Sequence, residues 1–170
     1  MAARWMGWET LAWCEIDPFC RKVLTYHFPE AEAFEDIKKS DFTKYANRID
    51  ILSGGFPCQP FSTAGKRGGT SDDRWLWPEA VRIVGESEPT WFLFENPPGL
   101  KSVGLDGVLT YLEALGYEVG TLNIPACAVN APHRRDRVWI IANNGSKRAE
   151  SFGTDDRNEI IRAEIGRAHV

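Results

Sequence analysis

Apolar and polar positions along the chain follow two alternating rhythms. "ETLAWCEI" (9–16), "IDILSGG" (49–55), "TWFLFEN" (90–96) and "DRVWIIAN" (136–143) are short apolar runs closed by polar residues or glycine. Runs of this length and composition predict strands, buried ones at 9–16 and 49–55 and a central one at 90–96. "EAFEDI" (32–37) is a weaker, shorter strand signal. Between these runs the spacing changes to that of helices. Asp17-Pro18 opens one over "DPFCRKVLTYHF", with Asp17 as N-cap and Pro18 in the first turn, ending before Pro29. Leu76, Ala80, Val81, Ile83 and Val84 recur at helical intervals within 74–86. "VLTYLEALGYEV" predicts a helix that stops near Gly116 and runs into another strand. Strands alternating with helices predict an α/β fold with a mostly parallel sheet. Ligands of such sheets bind beyond the carboxyl ends of the strands, here the loops after Ile16, Leu52 and Phe94. From Asn144 the pattern is lost, so 1–143 reads as the folded domain and 144–170 as a polar, weakly ordered tail.

Composition narrows the picture modestly. A chain of 170 residues, 43% apolar and 26% charged, fits one domain with one sizeable core. A net charge of −4 does not announce a nucleic-acid binder, although a local basic stripe would suffice for one. Cys14, Cys20, Cys58 and Cys127 form no CxxC pair, and His27, His133 and His169 have no zinc-like spacing, so no metal is expected. "MAARWMGWET" lacks a signal peptide's apolar stretch, and no run reaches the ~20 apolar residues of a membrane span. The expectation is a soluble cytoplasmic protein with free thiols.

Three stretches carry candidate chemistry. "SGGFPCQPFS" (53–62) ends a strand in a rigid Gly/Pro loop and holds Cys58 at its centre. A lone cysteine is more often a packing residue, yet a thiolate held at a fixed angle is a strong nucleophile. Glu95 in "FENPPGL" closes an apolar strand, where desolvation raises a carboxylate's pKa and suits it to proton donation; it could equally cap the next loop. In "HRRDRVW" (133–139) the arginines could form a solvated face. Strand alternation instead puts Arg135 and Arg137 on one side, where their forks suit phosphates and carbonyl oxygens.

Taken together and in order, these stretches resemble the cytosine-5 DNA methyltransferases of bacteria and phages. "GGFPCQPFS" is similar to that family's nucleophile loop almost letter for letter. "FENPPGL" resembles its Glu-Asn motif, with Pro97 where many members carry Val, and "HRRDRVWIIA" its Gln-x-Arg-x-Arg motif, with His133 in the Gln position. "EIDPFCRKVLTYHFP" is similar to the segment that follows the family's cofactor loop, "EDIKK" to its next cofactor motif, and "DDRWLWPEAVRIV" to the helix after the nucleophile loop. The resemblance covers roughly residues 1–143.

It implies a Rossmann-like fold that binds S-adenosylmethionine as methyl donor, and no metal. Cys58 would add to cytosine C6, Glu95 would contact N3 and the exocyclic amine, Arg137 the O2, and Arg135 the loop or a phosphate. The target base would be flipped out of double-stranded DNA. For the donor, Glu15 would bind ribose hydroxyls, Ile16 would pack on adenine, Asp36 and Ile37 would meet its edge, and Pro57 and Leu76 would form further wall. Without the resemblance, Glu15 and Asp36 read as solvated helix-capping acids. A monomer, when complete, and a role in restriction-modification or phage self-protection are family-level expectations.

The chain departs from the pattern at both ends. The family begins with a strand and a Phe-x-Gly-x-Gly-Gly loop, whereas this chain starts at "MAARWMGWETLAW", which resembles the helix after that loop. It also stops short of a target-recognition region, and "EIGRAHV" (164–170) resembles a translated sequencing adapter. The expectation is therefore an incomplete fold, truncated at both ends, with an open sheet edge and weak or no activity alone. Competing readings are an RNA cytosine-5 methyltransferase, a non-catalytic DNA- or partner-binding piece of a split enzyme, and a cysteine hydrolase using Cys58, for which neither His27 nor His133 supplies a recognised signature.

Overall fold

The computed structural model describes residues 2–55, 76–102 and 104–145. Its elements run α1 (Ala2–Trp5), β1 (Ala12–Cys14), α2 (Pro18–His27), β2 (Glu32–Phe34), β3 (Ile51–Gly54), α3 (Trp77–Ser87), β4 (Trp91–Asn96), α4 (Leu105–Ala114), β5 (Glu118–Pro125) and β6 (Asp136–Asn143). Helix α2 starts where the sequence places it. Asp17 Oδ1 accepts the amide N–H groups of Phe19 and Cys20 at 2.8 and 2.9 Å, and Pro18 occupies the first turn, where its missing N–H costs nothing. Helix α4 ends at Ala114, and Gly116 follows at φ +84°, the left-handed conformation that glycine adopts without a Cβ penalty.

The α/β expectation holds, and the strands fall into two sheets. β1 pairs with β2 in parallel, and a four-stranded sheet has the order β3-β4-β6-β5. β3 and β4 are parallel, whereas β6 is antiparallel to both β4 and β5. The reversal follows from chain length: residues 126–135 are too few to cross back over the sheet, so β6 returns beside β5. β1 and β2 are shorter than their apolar runs suggest, with only three residue pairs between them. β3, expected to be buried, is an edge strand with Ile51 38% exposed, because among the described residues nothing pairs with its outer side. β4, between β3 and β6, is the central strand anticipated.

Two apolar clusters hold the sheets. The larger packs Ala80, Val81 and Val84 of α3, Val108 and Leu112 of α4, and Leu100 onto Phe92, Phe94, Val138 and Ile140. The apolar positions at helical spacing in α3 are therefore the ones it buries. The smaller joins Phe42, Tyr45 and Ile83, with Ala12, Cys14, Phe34 and Leu52 against them. This second cluster ties the two-stranded sheet to β3 and α3, although β1 and β3 are not hydrogen-bonded neighbours. Of the tryptophans, Trp77 lies in the core, while Trp5 and Trp8 are exposed.

Candidate active site

The first group of predicted residues lies where β4 ends and β6 begins. Antiparallel pairing sets Glu95 opposite Trp139 and Asn96 opposite Val138. Arg137 lies two residues from Trp139 and so on the same face as Glu95. Its Nε forms an ion pair with Glu95 Oε1, and its Nη1 donates to the Asp136 carbonyl at 2.8 Å. Both side chains are only partly screened from solvent, Glu95 being 33% and Arg137 21% exposed. The sequence alone suggested a poorly solvated carboxylate; the fold gives Glu95 a guanidinium partner. That planar fork is directional, so it orients the carboxylate as well as balancing its charge.

Close packing brings the end of β3 to the same place. A Cβ on Gly54 would stand 3.3 Å from Phe94 Cε1, and one on Gly55 would stand 3.5 Å from Glu95 Oε2. The glycines thus let the backbone pass against Phe94 and Glu95 immediately before the stretch that carries Cys58. Cys58 and Pro57 themselves lie outside the described residues. Leu76, the N-cap position of α3, packs partly buried against the larger core cluster.

Arg135 is not drawn into this group. β6 begins at Asp136, and Arg135 precedes it, exposed and at φ +38°, so the alternation that would align it with Arg137 does not extend to it. Its neighbour Arg134 pairs with Asp136 at 2.9 Å.

The second group lies beyond β1 and β2. Cys14 pairs with Phe34, so Glu15–Ile16 and Glu35–Asp36 leave the two strands side by side. Ile16, Glu35, Asp36, Lys39 and Ser40 line a cavity of about 320 Å³. Glu15 Oε1 accepts the amide of Asp17 at 2.8 Å, which holds the carboxylate at the strand end. Asp36 Oδ1 accepts the amide of Lys38 at 2.9 Å, and Lys39 sits 3.4 Å from the other oxygen. The Lys38 amide, with Lys39 adding to it, pulls the Asp36 pKa below its ordinary value, so the group stays an acceptor. Burial pushes the Cys14 thiol up, and the negative charges of Asp36 and Glu15 add to this, so the thiol stays neutral where it packs against the smaller apolar cluster.

Two carboxylates beside an exposed apolar side chain (Ile16 is 68% exposed) fit a nucleoside: a flat base against the isoleucine, and hydroxyl or amine donors on the oxygens. Of the predicted residues, Ile16 and Asp36 are thereby brought together on the cavity; Glu15 adjoins Ile16 in the chain without lining it, and Ile37 follows Asp36 on the same loop with its side chain in the smaller apolar cluster. Sequence reading did not single out Glu35, Lys39 or Ser40 as site residues, although Glu35 and Lys39 lie within "EDIKK"; their place on the cavity depends on the turn after β2. Among the described residues no group of His, Cys, Asp and Glu could hold a metal, and no helix is long and apolar enough to cross a membrane.

Comparison with known proteins extends this. Residues 2–165 match the family model described as C-5 cytosine-specific DNA methylase. The type II methyltransferase M1.ScrFI of Lactococcus lactis subsp. cremoris is 40% identical over 132 residues, which are 75% of this chain and 33% of that protein. The orphan methyltransferase M.SPRI of Bacillus phage SPR is 33% identical, over 80% of this chain and 32% of its own. The chain thus spans about a third of the length of these relatives. In fold it is similar to the S. pombe Dnmt2 methyltransferase, with a TM-score of 0.67 at 17% identity over 84% of this chain and 46% of that one. The match across nearly the whole chain, on a strand-end site of this composition, shows that the chain belongs to the C-5 cytosine-specific DNA methylase family.

Proposed function

We propose that the chain is the partial catalytic domain, residues 1–143, of a DNA (cytosine-5) methyltransferase that uses Cys58 as a covalent nucleophile. The observation that carries this reading is the convergence at one strand end: the Gly54-Gly55 exit of β3 abuts Glu95, and Glu95 is paired with Arg137. A nucleophile three residues beyond Gly55 would meet its substrate beside that pair.

Cytosine C5 is too electron-poor to accept a methyl group unaided. In this mechanism the Cys58 thiolate forms a bond to C6, and the electron pair of the C5–C6 double bond is displaced into the ring. Glu95 meets N3 and the exocyclic amine, where charge develops as the thiolate adds. Arg137 serves Glu95 through the ion pair and offers its remaining N–H groups to the cytosine O2; Arg135, exposed beside it, suits a phosphate. S-Adenosylmethionine would be held in the cavity lined by Ile16 and Asp36, with Glu15 adjoining Ile16 in the chain, and would supply the methyl group. The electron pair delivered to C5 forms the C5–CH3 bond as the donor's S–CH3 bond breaks, and S-adenosylhomocysteine leaves. Ile37, Leu76 and Pro57 belong to its surroundings in this reading. Loss of the C5 proton to a base then returns the electron pair, and the C6–S bond breaks to free Cys58. In this reading the substrate is double-stranded DNA, and because the base must leave the duplex to be reached, flipping is a step.

A second reading concerns how much the chain does alone. β1 and β3 share an apolar cluster but no hydrogen bonds, a separation that one further parallel strand would bridge. Activity would then need polypeptide in addition to these 170 residues. Trapping on duplex DNA containing 5-fluorocytosine, with S-adenosylmethionine and a Cys58→Ala control, tests both readings, because fluorine cannot leave C5 as a cation. A Cys58-dependent adduct supports catalysis by the chain itself. An adduct that forms only when a neighbouring strand segment is supplied supports the split reading. No adduct under either condition, or one that persists in Cys58→Ala, overturns the mechanism.

A further inference from the structure

We propose that Arg82 is a positioning residue for the methyl-donor site, fixing the backbone of residues 37–42 that forms one wall of its cavity; this rests on the reading of that cavity as the donor site. Arg82 lies in the middle of α3, about forty residues from the loop after β2. Its Nη2 donates to the Ile37 carbonyl and its Nη1 to the Ser40 carbonyl at 3.1 Å. On its own helix, Nε donates to Glu79 at 2.9 Å and Nη1 to Glu86 at 2.6 Å. The other oxygen of Glu86 accepts the amide of Phe42 at 3.0 Å. Three backbone groups of one loop are therefore held by one arginine and the glutamate it orients.

An ordinary helix-surface ion pair at i,i+4 needs none of this. Here the guanidinium stands between two carboxylates on α3 and two carbonyl oxygens on the loop, all of them negative or partly so. Without it, Glu79 and Glu86 would face those carbonyls directly and repel them. The held segment is the one that shapes the cavity: Asp36, Lys39 and Ser40 line it, and the Ser40 hydroxyl donates back to the Asp36 carbonyl at 2.7 Å. The directions of Asp36 and Ile37 thus depend on a residue that lines no part of the cavity. Ile83, the next residue of α3, packs with Phe42 and Tyr45, so the apolar half of this contact survives when Arg82 is changed.

Arg82→Met keeps the stem and removes the fork; Arg82→Lys restores charge without the planar geometry. In the full chain, residue-resolved amide hydrogen exchange and titration with S-adenosyl-L-homocysteine would be measured for both. In Arg82→Met the amides of Lys39, Phe42 and Thr43 should exchange at least about tenfold faster, while those of Phe92 and Ile140 keep their protection. The dissociation constant should rise by roughly ten- to hundredfold, with Arg82→Lys in between. Unchanged exchange at 39–43 overturns the proposal. So does faster exchange spread evenly over β4 and β6, which would mean a merely structural role. Failure of the unaltered chain to bind S-adenosyl-L-homocysteine, both alone and with the neighbouring strand segment supplied, would overturn the donor-site reading, while the exchange data still decide whether Arg82 holds the loop.

Discussion

Among single residues, the glycines show most directly how the site depends on where a Cβ is absent. Gly54 and Gly55 bring the β3 backbone against Phe94 and Glu95, whereas a Cβ on Gly85, exposed on α3, would meet nothing within 4 Å. The two kinds of glycine should respond oppositely. Gly54→Val should destabilise by about 1–3 kcal/mol, because the ring of Phe94 is itself packed in the core and must move. Gly85→Ala should stabilise by about 0.4–1 kcal/mol, since a helix interior gains from a residue with less freedom when unfolded. Urea unfolding at constant slope measures both. Glu95→Gln keeps the shape of the side chain but removes its charge and its pairing with Arg137. The rate of 5-fluorocytosine adduct formation should then drop on the order of 10²–10⁴-fold; an unchanged rate would remove Glu95 from the chemistry.

For the helices, local rules and packing agree. Helix α2 buries no residue fully, so its start rests more on its cap than on the core. Asp17→Ala should lower Tm by roughly 2–4 °C and fray the first turn, visible as loss of helical circular dichroism before the main transition. Helix α3 differs, because its apolar stripe is buried and Arg82 ties its polar face to the loop of Asp36. The Glu79, Arg82 and Glu86 spacing is readable as helix-surface pairing. The carbonyls that Arg82 also meets are not readable, because backbone acceptors look alike in any sequence.

Across the molecule, pH acts through carboxylates that are hydrogen-bonded only when folded. Asp17, Glu32, Asp36 and Asp41 all have pKa values lowered in the folded chain. The causes are amide donors to Asp17, Asp36 and Asp41, and Lys44 with Tyr45 on Glu32. A depressed folded pKa contributes stability above the unfolded value, lost as pH falls through the folded one. Tm should therefore decline from about pH 4.5 downward, and a thermal-melt series checks this. At the alkaline end Tyr45 and Tyr117 are both pushed up to about 12, chiefly by burial. A raised pKa stabilises below the unfolded value, near 10, and that contribution is lost as pH rises towards 12.

Element types, their order and the residue chemistry of the candidate site were legible in the chain's own letters. Strand runs, the Asp17-Pro18 cap and the helical stripe of α3 follow from local pattern, because side-chain period and capping are short-range properties; Glu95 and Arg137 stand out within their own stretches, whereas Glu15 and Asp36 were singled out only by the family resemblance. What these residues meet was settled by folding in three dimensions. That made β3 an edge strand, set β1 and β2 apart as a second sheet, left Arg135 outside the reach of strand alternation and turned Glu95 into the partner of Arg137. It also placed Lys39 and Ser40 on the cavity and Arg82 behind it. Each of these depends on which distant segments pair and pack, and pairing is settled by the combined burial of the whole chain rather than by any window along it.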